Sequence, residues 1–103
     1  MATMKKPINI EGFFFSDGII EKYEFDTSQF TMLFTDYCDR KLLFHFYDAI
    51  EICVQDDLED IGVNVSESHL EKDGDRTKLR LLDDDRNEKL TIKFRTYQIE
   101  VAE

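Results

Sequence analysis

The stretch KLLFHFYDAIEICV, residues 41–54, decides the fold of this chain, because apolar side chains recur along it at every second position. A period of two is typical of a β-strand with one buried face. The side chains on that face are those of Leu42, Phe44, Phe46, Ile50, Ile52 and Val54. Only Asp48 interrupts the pattern, so we predict a strand from Lys41 to about Val54 that is kinked at Asp48.

A helical interpretation competes for the second half of this stretch. Between residues 46 and 61 several apolar residues fall on the three-and-four spacing of an amphipathic helix, and Gly62 would end it. Such a helix leaves Ile52 on its polar side, and the β-branched side chains of the stretch favour a sheet. We therefore keep the strand up to Val54 and predict an acidic loop or a single helical turn for residues 55–61.

The same alternation continues towards the end of the chain. In LTIKFR, residues 90–95, the even-numbered positions are apolar, whereas in TYQIEV, residues 96–101, the odd-numbered positions are apolar. Both segments have the pattern of half-buried strands. The change of phase between them predicts a bulge or a tight bend at Arg95–Thr96.

Turn sequences separate the alternating segments. They are SDGI (16–19), FDTSQF (25–30), DRK (39–41), KDGD (72–75) and DDDRN (83–87). A four-residue loop in the second of them sets Phe25 opposite Phe30. A three-residue loop centred on Arg40 sets Phe34 opposite Phe46.

These patterns predict a single, mainly β domain over residues 1–103. We expect an antiparallel meander of six to eight strands that forms a small sandwich, a curled sheet or a partial barrel. At most one short helix is expected, near residues 55–61. A chain of this length with nine Phe and four Tyr can fill one hydrophobic core.

The two cysteines and the N-terminal residues indicate in which cellular compartment the protein is expected. Cys38 and Cys53 are too few for a secreted disulfide framework, and no His or Cys stands at a zinc-finger spacing from them. We predict two buried, reduced thiols that the hairpin register keeps apart. Pro7, Asn9 and Glu11 interrupt the apolar run that a signal peptide or a membrane span needs. A cytoplasmic protein that does not enter a membrane is expected.

The net charge of −10 is concentrated in the middle of the chain. Residues 42–71 contain eight acidic and no basic side chains, whereas residues 72–103 contain eight of each. Nucleic-acid binding needs a basic stripe to neutralise phosphates, and the sequence shows none. A nucleic-acid partner is therefore not expected.

The sequence contains no pattern that predicts catalysis or a cofactor. His45 has only Thr35 opposite it in the predicted register, and His69, although it follows two serines, lacks a nucleophile elbow. The acidic run DDDRNE, residues 83–88, lacks the glycine and the final glutamate of an EF-hand loop. We expect a protein that is not an enzyme and that holds no cofactor or metal.

The acidic middle is the feature that suggests a function. Its candidate partner-binding residues are Asp48, Glu51, Asp56, Asp57, Glu59 and Asp60. A surface with these side chains attracts Lys and Arg of a basic protein. Our first hypothesis is a non-catalytic protein-binding module, with inhibition of the partner as one form of that role.

In size, acidity and expected architecture the chain resembles many bacterial immunity proteins, which block a toxin by masking its basic active site, although no motif carries this likeness. The second hypothesis belongs to a different class. The chain would be a structural or assembly subunit that forms homo-oligomers through edge strands, and its acidic residues would serve solubility alone.

Overall fold

A computed structural model describes residues 8–54 and 63–102, and the regular secondary structure of these residues is almost entirely β-strand. The strands are β1 (Gly18–Asp26), β2 (Gln29–Thr35), β3 (Lys41–Tyr47), β4 (Ile50–Val54), β5 (Val63–Val65), β6 (Glu67–Asp73), β7 (Arg76–Leu82), β8 (Glu88–Phe94) and β9 (Thr96–Val101). A 3-10 turn, Ile10–Gly12, precedes them. The predicted mainly β fold is confirmed, and the described residues hold nine strands where six to eight were expected.

The strands form two antiparallel sheets around a hydrophobic core. The first sheet has the order β5-β1-β2-β3-β9, and the second has the order β4-β8-β7-β6. Side chains from both sheets are buried in the core between them. The two sheets are separate, pack on one core and do not close into a barrel. Of the forms predicted from the sequence, the described residues therefore adopt the sandwich.

The opening stretch crosses from one sheet to the other. β3 lies in the first sheet and β4 in the second, and the chain turns between them at Asp48, which has a φ of 53°. Ala49 is buried at this corner, and its amide donates to the carbonyl of Ser28 at 2.8 Å. The predicted break at Asp48 is confirmed, but it separates two strands of different sheets rather than kinking one strand. Ile50, predicted on the buried face, is 39% exposed because β4 leaves the first sheet at this corner.

The end of the chain makes the same crossing in the opposite direction. β8 pairs with β4 and β9 pairs with β3, so the predicted bend at Arg95 lies beside the kink at Asp48. At the bend the amide of Arg95 donates to the carbonyl of Tyr47 at 3.0 Å. Residues 41–54 and 88–101 thus form one two-stranded ribbon that belongs to both sheets.

Phenylalanine rings fill much of the core. Phe30, Phe34 and Phe44 are fully buried in the first sheet. Residues before β1 close one end of the core, where Phe15 is buried and the ring of Phe13 lies 5.2 Å from that of Phe44. Burial of such side chains contributes roughly 1.5–3 kcal/mol each to the stability of the fold.

The hairpin of β2 and β3 has a different register from the one predicted. The structure pairs Phe30 with Phe46 and Phe34 with Leu42. The prediction of Phe34 opposite Phe46 is therefore wrong. The loop contains residues 36–40, since β2 ends at Thr35 and β3 begins at Lys41.

Asp36 explains the longer loop. Its carboxylate is buried, and its Oδ1 accepts hydrogen bonds from the backbone amides of Cys38 and Arg40 at 3.0 and 2.9 Å. Its Oδ2 accepts from Nε of Arg40 at 3.2 Å. An aspartate whose carboxylate accepts from two backbone amides of the next four residues stabilises a wider turn than the one expected.

Three other turns lie where the sequence predicted them. Phe25 is opposite Phe30 across the β1–β2 turn, as predicted. Gly74 takes a φ of 68° in the β6–β7 turn. In the β7–β8 turn, Oδ1 of Asp83 accepts from two backbone amides at 2.9 Å.

The Asp-Gly turn at residues 16–19 leads into β1 and does not form a hairpin. The neighbours of β1 are β2 and β5 rather than the residues before the turn. A Cβ atom on Gly18 would lie only 2.2 Å from Cζ of Phe34. Glycine is therefore required because the strand passes directly against this ring.

Candidate functional site

Two of the six predicted partner-binding residues lie in the described part of the chain, and both form ion pairs within the protein. Asp48 Oδ2 lies 3.8 Å from Nη1 of Arg95. Glu51 Oε2 lies 2.7 Å from Nζ of Lys93. Glu51 lies in β4, an edge strand of the second sheet, and Asp48 lies in the bend before it; their φ values are positive, 52° and 53°.

The same two cations hold a second carboxylate each, from the β6–β7 turn. Nζ of Lys93 lies 2.5 Å from Oδ2 of Asp73, and Nη2 of Arg95 lies 2.9 Å from Oδ2 of Asp75. We call this set the β4 ion-pair network. Its members are Asp48, Glu51, Asp73, Asp75, Lys93 and Arg95.

The network changes the ionisation of two of its members. The hydrogen bond and charge of Lys93 lower the pKa of Asp73 below its ordinary value. The hydrogen bonds from Lys93 to Asp73 and Glu51 raise the pKa of the lysine. Each of these two shifts favours the charged form of its group, so Asp73 and Lys93 form a charged pair at neutral pH.

The other four predicted residues, Asp56, Asp57, Glu59 and Asp60, lie outside the described residues. The same holds for the loop or helical turn predicted over residues 55–61. The structure thus places Glu51 on one sheet edge and Asp48 in the bend that leads into it. It places them against this protein's own cations.

The outer face of the second sheet carries one cysteine and one histidine of the sequence analysis. A row of paired residues crosses its four strands in the order Cys53, Thr91, Arg80 and His69. Cys53 and Cys38 are both exposed and free, so the predicted burial of the thiols is wrong, whereas their separation is confirmed. Thr91 Oγ1 is buried without a hydrogen-bond partner among the residues that the structure describes.

The side chains that contact the two histidines in the described residues are Gln29 and Glu100 for His45 and Glu67 for His69, and none of them is a catalytic nucleophile of the predicted kind. Nε2 of His69 lies 2.6 Å from Oε2 of Glu67, which is an exposed pair. His45 lies on the outer face of the first sheet, opposite Thr31 and Gln98 rather than the predicted Thr35. The correction follows from the longer β2–β3 loop. His45 is thus a half-buried residue in the middle of a strand.

An exposed aromatic pair is the surface feature that sequence reasoning missed. Phe14 and Tyr37 are 53% and 59% exposed, and their rings meet edge to face at 5.1 Å. They border an open pocket of about 410 Å³ that Ile8, Phe13 and Arg40 also line. The signal was the triplet FFF at 13–15, in which the middle ring cannot share the buried face of its neighbours. Exposed aromatic side chains and Arg are typical of binding hot spots.

Tyr37 is held in this position by the Asp36 loop. The side-chain hydrogen bond with Cys38 raises the pKa of the Tyr37 hydroxyl, so the phenol stays protonated well above neutral pH. The ring therefore presents an apolar face and a neutral donor to solvent.

Three further findings concern metal binding, membrane crossing and similarity to known proteins. The described residues contain no group of three or more His, Cys, Asp or Glu side chains placed to hold a metal ion. None of their helices is long and apolar enough to cross a membrane. No family model matches the chain, and comparisons with curated proteins and with solved structures return no match.

Proposed function

We propose that this protein is a non-catalytic binding module that docks a basic protein partner through its acidic segment. The segment runs from Asp48 to Asp60, and residues 56–60 carry four carboxylates within five positions. Inhibition of that partner, by covering a basic site, is the form of this function that we favour.

The supporting observation concerns the two cations beside β4. Lys93 and Arg95 each already hold two carboxylates. Neither has a free charge to offer to further acidic side chains of the segment. No basic residue occurs between Lys41 and Lys72, so neighbours in sequence do not neutralise the segment either.

Uncompensated negative charge has two consequences for association. It attracts Lys and Arg over a distance of about 8–10 Å at moderate ionic strength, which accelerates encounter with a basic surface. It also makes binding depend on salt, since screening weakens this attraction. Asp48 and Glu51 contribute less to this attraction, because their charges are already paired.

The test compares two variants of equal charge. The first replaces the four carboxylates of the segment by amides, at Asp56, Asp57, Glu59 and Asp60. The matched control replaces four exposed carboxylates elsewhere, at Asp17, Asp26, Glu71 and Asp85. Each set removes four negative charges, three from Asp and one from Glu, so net charge is the same in both variants.

Affinity capture from the native host's lysate, at low and at moderate salt, gives the readout. Wild type and the control variant should recover the same basic protein, and the segment variant should lose it. The recovery by wild type should fall as salt rises. Equal recovery by all three forms, or equal loss in both variants, would refute docking through the segment.

The second hypothesis, an assembly subunit, has support from a different part of the structure. β9 is an edge strand with an exposed apolar end, Val101, which is 44% exposed.

A further inference from the structure

The open strand edges of the two sheets differ in how they are protected against pairing with another chain. Edge strands commonly carry charges, bulges or a very short length that prevents such pairing. β5 has three residues. β4 has an irregular register and a positive φ at Glu51. These two edges are protected by length and by shape.

Charges protect two more stretches of edge. β6 carries Glu67, Glu71, Lys72 and Asp73 among its seven residues. β1 pairs with β5 only from Gly18 to Ile20, and beyond that point it has a bulge and four charged residues, Glu21, Lys22, Glu24 and Asp26.

β9 is the least protected of these edges. It pairs with β3 in an unbroken register over six residues. No residue of β9 has a positive φ, and Glu100 is its only charged side chain. Within residues 8–54 and 63–102 no strand pairs with its other side.

The direction of the open backbone groups follows from the ladder with β3. The amide of Ala102 donates to the carbonyl of Lys41 at 2.9 Å. Backbone groups alternate in direction along an antiparallel pair. Residues 96, 98 and 100 therefore bond to β3, and Tyr97, Ile99 and Val101 direct their N–H and C=O groups to the open edge.

We propose that β9 pairs with β9 of a second copy of this chain, antiparallel and centred on Ile99. In this register Ile99 lies opposite Ile99 of the second copy, and Tyr97 lies opposite Val101. The two first sheets become one continuous sheet of ten strands. Every residue that directs its backbone outward on one copy then meets such a residue on the other.

Side-chain pairing supports this register over its neighbours. It places Gln98 opposite Glu100, so an amide can donate to a carboxylate on the outer face. A register centred on Glu100 would oppose two like charges, which is destabilising. A register centred on Gln98 would oppose Val101 to Arg95 and leave the exposed apolar end uncovered.

The size and charge of the contact set its strength. Six residues of edge bury much less than the roughly 1,200 Å² of a stable interface. Both copies carry a net charge of −10, so they repel each other at low ionic strength. Dimers should therefore form at high protein concentration, and they should increase with salt. Docking of a basic partner has the opposite salt dependence.

Disulfide trapping tests the register. Both native cysteines are replaced by serine, and cysteines are introduced by Gln98→Cys and Glu100→Cys, singly and together. Directly opposed side chains that lie between the hydrogen-bonded pairs are close enough for a disulfide. Mild oxidation of the double variant at high concentration should give a covalent dimer.

The single variants are the matched controls, because neither side chain opposes itself in this register. They should remain monomeric under the same oxidation. Dimer formation by Gln98→Cys alone, at the rate of the double variant, would overturn the register, as would a double variant that stays monomeric. Both positions are exposed, and circular dichroism of each variant checks that the sheet is intact.

Sedimentation velocity of the unmodified chain provides an independent measurement. From micromolar to millimolar concentration the wild type should shift from monomer towards dimer. Val101→Lys places a charge on the open edge and should abolish the shift. Phe14→Lys, which changes an equally exposed apolar residue outside the edge, should leave the shift intact. A wild type that stays monomeric throughout would overturn the proposal.

Discussion

The rings of Phe46 in β3 and Phe94 in β8 lie 4.7 Å apart and join the two sheets. Both side chains are essentially inaccessible to solvent. Phe46 also lies opposite Phe30 in the first sheet. The ribbon that crosses between the sheets is therefore fixed to the core at the point where its two strands change sheet.

Phe46→Ala should lower the free energy of unfolding by about 3–5 kcal/mol, because it leaves a cavity at this junction. Phe25→Ala is the matched control. Phe25 is 50% exposed, and its loss should cost less than about 1 kcal/mol. Urea denaturation followed by fluorescence or circular dichroism measures both. Similar losses in the two variants would contradict the central position of Phe46.

Asp36→Ala should destabilise the protein by about 2 kcal/mol, because three donors of the β2–β3 loop lose their acceptor. Arg40→Gln removes only the pair between its half-exposed guanidinium and the buried carboxylate of Asp36, and it keeps both backbone hydrogen bonds, so it should cost only about 1 kcal/mol. Denaturant midpoints compare the two. An Asp36→Ala variant as stable as Arg40→Gln would show that the backbone hydrogen bonds do not hold the loop.

Cys38 and Cys53 should both react with a thiol reagent in the native protein, since both are exposed. The measurement is a titration of thiols with and without denaturant. Denaturant should add no further reactive thiol. A native protein in which one thiol reacts only after unfolding would contradict the exposure of that residue.

The β4 ion-pair network should make stability depend on pH at both ends of the scale. The pKa of Asp73 is lowered in the folded protein, so its contribution is present above the unfolded value of about 3.9 and is lost as pH falls through the folded value. The pKa of Lys93 is raised, so its contribution is present below about 10.4 and is lost as pH rises through the folded value.

Denaturant midpoints measured from acid to alkaline pH test both limbs. Asp73→Asn should flatten the acid limb, and Asp83 should account for part of what remains, since backbone amides lower its pKa too. Lys93→Met should flatten the alkaline limb. An unchanged acid limb in Asp73→Asn would show that its carboxylate is not stabilised in the folded protein.

Alternation of side chains predicted the strands well because burial of one face dictates it. It predicted an irregularity at Asp48 and the bend at Arg95 for the same reason, since each interrupts or shifts the pattern, but it did not show that the chain changes sheet there. It could not fix the β2–β3 register. Moving the partner of Phe34 from Phe46 to Leu42 is an even-numbered slip, which leaves every side chain on its original face. The register depends instead on the hydrogen bonds of Asp36.

The candidate site was less predictable than the fold. The acidic composition was evident, but the sequence did not show that Asp48 and Glu51 would meet Arg95 and Lys93. Those contacts depend on β8 lying beside β4, which is a pairing of residues about forty positions apart. Exposure of Phe14 and Tyr37 likewise depends on how a loop and the residues before β1 meet.

The ribbon of residues 41–54 and 88–101 also governs when the protein can fold during its synthesis. In the part of the chain that the structure describes, β8 is the strand that pairs with β4. Until residues 88–94 have left the ribosome, the growing chain therefore exposes β4 with an unpaired backbone. Pairing over such a sequence distance is slow, and unpaired strands aggregate readily. We expect the carboxylates around β4 to reduce such aggregation, because like charges on neighbouring nascent chains repel each other until the second sheet is complete.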